Sequence, residues 1–193
     1  MASTMPVLKS FDWRALTLLL LSVATVVGAQ SGGFRVAALE ARFDSGLLLA
    51  EARIDYRLSD TVREALENGV PIVIEQALQL ERRRWWWRAE RVVAHERRYR
   101  LQYHAMSRRY VLTWIDTGES RSYRSLDALL ARLGRIDAWP VARRERVLTD
   151  HADQLALSSA LDIDALPRLL RTVALVDSDW RLRSDTQRIE VAP

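Results

Sequence analysis

The chain has 193 residues, 49% hydrophobic and 28% charged, which suits one ordinary folded domain and excludes a disordered, collagen-like or multi-span membrane chain. It has no cysteine and three histidines, so disulfides, thiolate zinc sites, iron–sulfur clusters and a cysteine nucleophile are ruled out, and no metal or other cofactor is expected. The net charge of +4 is uneven: ten arginines between residues 82 and 109 face only Glu90 and Glu96.

At the start, Lys9 and Arg14 flank the beginning of an apolar run over residues 15–28, shorter than the ~20 residues that cross a bilayer comfortably. Val27, Gly28 and Ala29 then place small residues where a signal peptidase reads. This pattern predicts a secretory signal peptide over residues 1–29, a single folded domain over 30–193 and a periplasmic location. The alternative is an inner-membrane anchor formed by an uncleaved 15–28 segment. No cysteine follows the run, so a lipoprotein is excluded.

Beyond the leader, residues 34–43 read as a first strand, ended by the turn composition Asp44, Ser45, Gly46. In residues 47–58, Ala52, Ile54, Tyr56 and Leu58 alternate with Arg53, Asp55 and Arg57, the period of a half-buried strand. Ser59, Asp60 and Thr61 offer helix-capping side chains, with Thr61 and Glu64 spaced as a capping box; Gly69 and Pro71 stop the helix. Alternation resumes through Ile72, Ile74, Leu78 and Leu80, broken by Gln76, and again through Tyr99, Leu101 and Tyr103. These two runs, 70–84 and 90–104, predict the arms of a long hairpin.

Tyr110, Leu112 and Trp114 form a further strand closed by Asp116, Thr117 and Gly118. Ser125 caps a short helix carrying Leu126, Leu129, Leu130 and Leu133, with Gly134 as its stop. Residues 143–153 fit helix and strand equally well. Leu155, Leu157, Leu161 and Ile163 alternate once more, interrupted by Ser159, and Pro167 opens a helical turn reaching Val173. Trp180, Leu182, Ile189 and Val191 suggest a last strand. Strands joined by turns, without βαβ alternation, predict a mainly-β antiparallel sandwich, immunoglobulin-like or similar, with two or three short helices.

Several local patterns together resemble a known family. They are Ala65 and Leu66 before Gly69, Val70 and Pro71; the cluster over 82–87; and Leu101, Tyr103, His104, Ser107 and Tyr110. Leu161 and Asp162 leading to Leu166 and Pro167, and Ser178, Trp180, Leu182 and Ser184, complete the series. The ordered set is similar to the proteobacterial domain-of-unknown-function family 4390. The resemblance implies an exported protein with no assigned activity or catalytic residues, often encoded beside an rRNA methyltransferase and a nitrogen-regulation-type sensor kinase.

Asp116, Thr117 and Gly118 match the active-site triplet of aspartic proteases, in which two such aspartates share a proton. A single copy requires a homodimer, and Gly134 follows Gly118 by only 16 positions, so a hairpin turn accounts for the triplet better. His95 and His104 could face one another across the hairpin, but no spacing supplies three or four converging metal ligands. Neither Asp162 with Asp164 nor Asp177 with Asp179 fits a calcium loop.

The distinctive feature is Arg82, Arg83, Arg84, Trp85, Trp86, Trp87 and Arg88, continued by Arg98 and Arg100. Adjacent side chains on a strand alternate faces, so three consecutive tryptophans cannot all point inward. Guanidinium pairs with phosphate or carboxylate, and indole favours the lipid headgroup zone. These nine residues are therefore the candidate contact surface of a non-catalytic binding or accessory module, docking to an acidic envelope protein or the anionic inner membrane. The competing explanation is a solvated strand face that discourages edge pairing. Nucleic acid is not an expected partner of an exported protein, and a small hydrolase using Asp116 is the alternative function.

Overall fold

Alternation of apolar and polar side chains builds two antiparallel sheets in the computed structural model, which describes residues 32–83 and 89–191. The strands are β1 (Gly33–Asp44), β2 (Leu47–Arg57), β3 (Ile72–Arg82), β4 (Glu90–His104), β5 (Arg109–Trp114), β6 (Ser120–Tyr123), β7 (Arg135–Arg143), β8 (Gln154–Leu161) and β9 (Gln187–Glu190). Four short helices punctuate them: α1 (Asp60–Glu67), α2 (Leu126–Leu133), α3 (Arg144–Thr149) and α4 (Arg168–Val176). The segment 1–29 assigned to a signal peptide lies outside the described residues, as do Arg84, Trp85, Trp86, Trp87 and Arg88.

One sheet has the order β1-β2-β7 and the other β6-β5-β4-β3-β8-β9. The split of three strands and six differs from the four and three of an immunoglobulin constant domain. The β1–β2 hairpin turns through Ser45 and Gly46, both at positive φ (47° and 79°), the conformation whose twist matches flanking antiparallel strands. The inward residues of both sheets, among them Ile54, Tyr56, Trp139 and Val141 from the smaller and Ile74, Leu78, Leu101 and Leu157 from the larger, form one buried cluster. The long hairpin forms as the alternation predicts, paired from Ile72↔Leu101 to Arg82↔Glu90.

Gln76 and Ser159, the two polar interruptions in the apolar runs, meet in the core. Gln76 Nε2 donates to Tyr56 Oη at 2.9 Å and to the Leu133 carbonyl at 3.0 Å. Tyr56 Oη lies 3.0 Å from Ser159 Oγ, which donates to the Glu75 carbonyl at 2.7 Å. This polar bridge ties β2 to β3, β8 and the end of α2. Gln76 Oε1 finds no partner among the described residues, but the bonds that do form across the strands offset much of the cost of burial and disfavour slipped registers.

The structure corrects several local expectations. Ser59, not Thr61, caps α1: its hydroxyl accepts from Val62 N, while Thr61 Oγ1 donates to Asp179 Oδ2 at 2.8 Å. Gly134 ends α2 at φ −73°, so left-handed geometry is not what requires glycine there. A Cβ would come within 2.1 Å of the Ile54 carbonyl oxygen, because Ile54 N donates to Gly134 O at 2.8 Å. Trp180 belongs to a 3-10 turn, and the last strand is confined to Gln187–Glu190. Residues 144–149 of the ambiguous stretch are helical, as α3. Strands β6 and β7 have no counterpart in the sequence reading: β6 is four largely polar residues, and register shifts opposite β2 spread the buried side chains of β7 to Ile136, Trp139 and Val141.

Candidate functional site

Along β4, Tyr99 and Leu101 enter the core, so Arg98 and Arg100 occupy the outer face of the six-stranded sheet. Arg98 is surrounded by acid there. Its guanidinium forms an ion pair with Asp162, lies 3.9 Å from Glu96, and has Glu75 close enough to raise its pKa further. Burial, then repulsion from Glu96 and Asp162, pushes the Glu75 carboxyl above its usual range. Asp162 also accepts from Ala165 N at 3.1 Å, capping the turn before Pro167. Arg98 is thus a structural cation, neutralised where it stands. Arg100, exposed two residues on, forms no ion pair among the described residues.

The root of the hairpin tip is likewise charge-matched. Arg82 pairs with Glu90 across the strands and donates to the Asp150 carbonyl at 3.4 Å. Arg83 lies 3.8 Å from Asp153 and 3.4 Å from Glu190, and its backbone N–H donates to Asp153 Oδ1 at 2.8 Å. Alongside, Arg188 meets the almost fully buried Glu81 at 3.1 Å. Of the nine residues singled out in the sequence, the structure therefore commits Arg82, Arg83 and Arg98 to acids, leaves Arg100 open, and does not describe the other five. Nor do the eight described arginines of the 82–109 stretch form one patch. At ~3.3 Å per residue, β4 is about 50 Å long, with the tip at one end and Arg108 and Arg109 at the other.

The remaining candidates resolve simply. Asp116 and Thr117 sit in the β5–β6 turn, closed by Gly118 N donating to the Trp114 carbonyl at 2.8 Å, with Gly118 at φ 73°. The glycine is there for the turn. His95 and His104 do not face each other, since both lie on β4, nine positions apart and on opposite faces; His95 Nε2 is 2.7 Å from the Val141 carbonyl. Asp177 and Asp179 organise the turn after α4. No cluster of three or more metal-ligating side chains occurs among the described residues, and no helix among them is long and apolar enough to cross a membrane.

Sequence reasoning missed a second cationic locus, on the inner side of β4. Arg97, Arg132 and Arg135 line a cleft of about 270 Å³ with Tyr99, Trp114 and Asp137. The Arg97 guanidinium stacks 4.2 Å above Trp139, and that of Arg132 lies 5.6 Å from the Trp114 ring centre. Burial pushes the Tyr99 hydroxyl pKa up against the opposing effect of Arg97 and Arg132. The only signal in the sequence was the spacing of Arg132 and Arg135 around Gly134; nothing local tied them to Arg97.

Two antiparallel sheets over one core define a mainly-β domain. The chain belongs to the family described as Domain of unknown function (DUF4390), whose sequence model matches residues 31–190. No curated protein and no solved structure matches it.

Proposed function

We propose that this is an exported, non-catalytic binding or accessory module that docks on an anionic surface, an acidic envelope protein or the inner membrane, through the tip of the β3–β4 hairpin. One observation carries the reading: between Glu81 and Glu90 the chain holds four arginines, three tryptophans and no acid. Arg82 and Arg83, at the base of this stretch, are tied to Glu90, Asp153 and Glu190. The ion pairs anchor the base, so Arg84, Arg88 and the indoles supply the contact.

The test is co-sedimentation of the full chain with vesicles of anionic or zwitterionic lipid over a salt series, beside affinity purification after crosslinking in cells. The triple variant Arg84→Gln, Trp86→Ala, Arg88→Gln leaves every described ion pair in place. Docking predicts that it loses salt-sensitive capture by the vesicles or by an acidic protein. Capture equal to wild type in both assays would remove the proposal.

A further inference from the structure

Eight of the described arginines form ion pairs: Arg35, Arg42, Arg82, Arg83, Arg98, Arg121, Arg146 and Arg188. The cleft between α2, β4 and β7 brings together three that do not. Arg97, Arg132 and Arg135 line it together, with Asp137 the sole acid among the lining residues, and none of the three has an ion pair among the described residues. A cleft lined by three like charges focuses positive potential and raises the local concentration of anions.

The geometry holds two of these cations in place and fixes the backbone from which the third projects. Arg97 is pinned over Trp139. Arg132 projects from the last turn of α2 over Trp114, and its Nη1 donates to the Arg135 carbonyl at 3.1 Å. Arg135 opens β7 one residue after Gly134, whose close contact with Ile54 fixes where helix ends and strand begins. A planar guanidinium offers several donors in a fixed fork suited to tetrahedral oxyanions, and the Tyr99 and Trp114 rings wall the recess.

We infer that this cleft is a binding site for a phosphate monoester, its oxyanion held by Arg97, Arg132 and Arg135 and its organic portion against Trp114. Among the lining residues three cations stand against one acid, which suits a dianion better than a carboxylate. The site is separate from the hairpin tip and holds whether or not the docking proposal does. Arg98 and Arg100, on the other face of β4, take no part.

Isotope-labelled full-length protein is titrated with sodium phosphate, phenyl phosphate and short-chain phosphatidic acid, with sodium chloride at equal ionic strength as reference. Saturable amide shifts confined to residues 97–99, 114 and 132–138 are expected with the phosphates and not with chloride. Arg135→Gln, an exposed substitution, should weaken affinity roughly tenfold or more, the effect of one lost charge-assisted contact. Arg100→Gln, in the same strand but on the opposite face, should leave it unchanged. Saturation by phosphate and phenyl phosphate assigns a soluble ligand; saturation by phosphatidic acid alone assigns a lipid head group. A response matched by chloride, a failure to saturate with any phosphate, or equal losses in Arg135→Gln and Arg100→Gln would overturn the site.

Discussion

Replacing Gly134 with alanine tests whether the join of α2 to β7 is set by contact rather than by helix capping. The residue has φ −73°, a conformation alanine adopts freely. If glycine were only a helix stop, Gly134→Ala would be nearly silent. The structure predicts otherwise: the added Cβ falls 2.1 Å from the Ile54 carbonyl oxygen, 3.2 Å from its carbon and 3.3 Å from the Leu130 carbonyl oxygen. All are backbone atoms, so relief requires α2 and β2 to separate, which lengthens the 2.8 Å bond from Ile54 N to Gly134 O. Overpacking costs ~1–3 kcal/mol and a lost backbone hydrogen bond about 1, giving about 2–4 kcal/mol together. For a domain of this size, that corresponds to a fall in Tm of roughly 5–15 °C. Thermal or urea unfolding followed by far-ultraviolet circular dichroism reads the effect. Gly33→Ala serves as the control, since its Cβ would meet nothing within 4 Å. Equal midpoints for the two variants would refute the contact argument.

Other consequences follow from the same contacts. Tyr56→Phe removes one member of the polar bridge but leaves Gln76 bonded to Leu133 and Ser159 bonded to Glu75; it should cost about 1 kcal/mol in urea unfolding. The same variant tests pH dependence. Burial raises the Tyr56 hydroxyl pKa well above its usual value of 10, so above pH 10 the unfolded chain releases a proton that the folded one retains. Stability therefore falls as pH rises beyond 10, and Tyr56→Phe should flatten that decline. Arg98→Gln removes the cation between Glu75, Glu96 and Asp162 and should destabilise by about 1 kcal/mol, with Asp162→Asn restoring part of the loss in the double variant. Leu169 and Val176 on α4 are 88% and 82% exposed, so changing both to serine should shift stability by no more than about 0.5 kcal/mol in the same unfolding assay.

The strand pattern is readable where one face is buried and the register is regular. Residues 47–58, 72–80 and 99–103 alternate because β2, β3 and β4 each press one face on the core, and the hairpin between the last two follows. Periodicity fails where a strand is short and solvated, as at β6, or bulged, as at β7. It also misjudged Gln76 and Ser159, which look like breaks yet meet across strands that sequence distance conceals. The basic cluster was visible as composition, but its electrostatics were not. Asp153, Asp162 and Glu190 lie at least 60 residues along the chain from the arginines they neutralise. The Arg97, Arg132 and Arg135 cleft was hidden for the same reason, since it is assembled from three elements.

The docking account is tested most directly by a photoreactive side chain placed at position 86 in the full chain, in cells, with position 53 on the smaller sheet as the comparison. Irradiation should join position 86 to an acidic protein or to anionic lipid, in adducts that fade as salt rises, and should leave position 53 without them. Identical adducts from both positions, or none from position 86, would contradict the account.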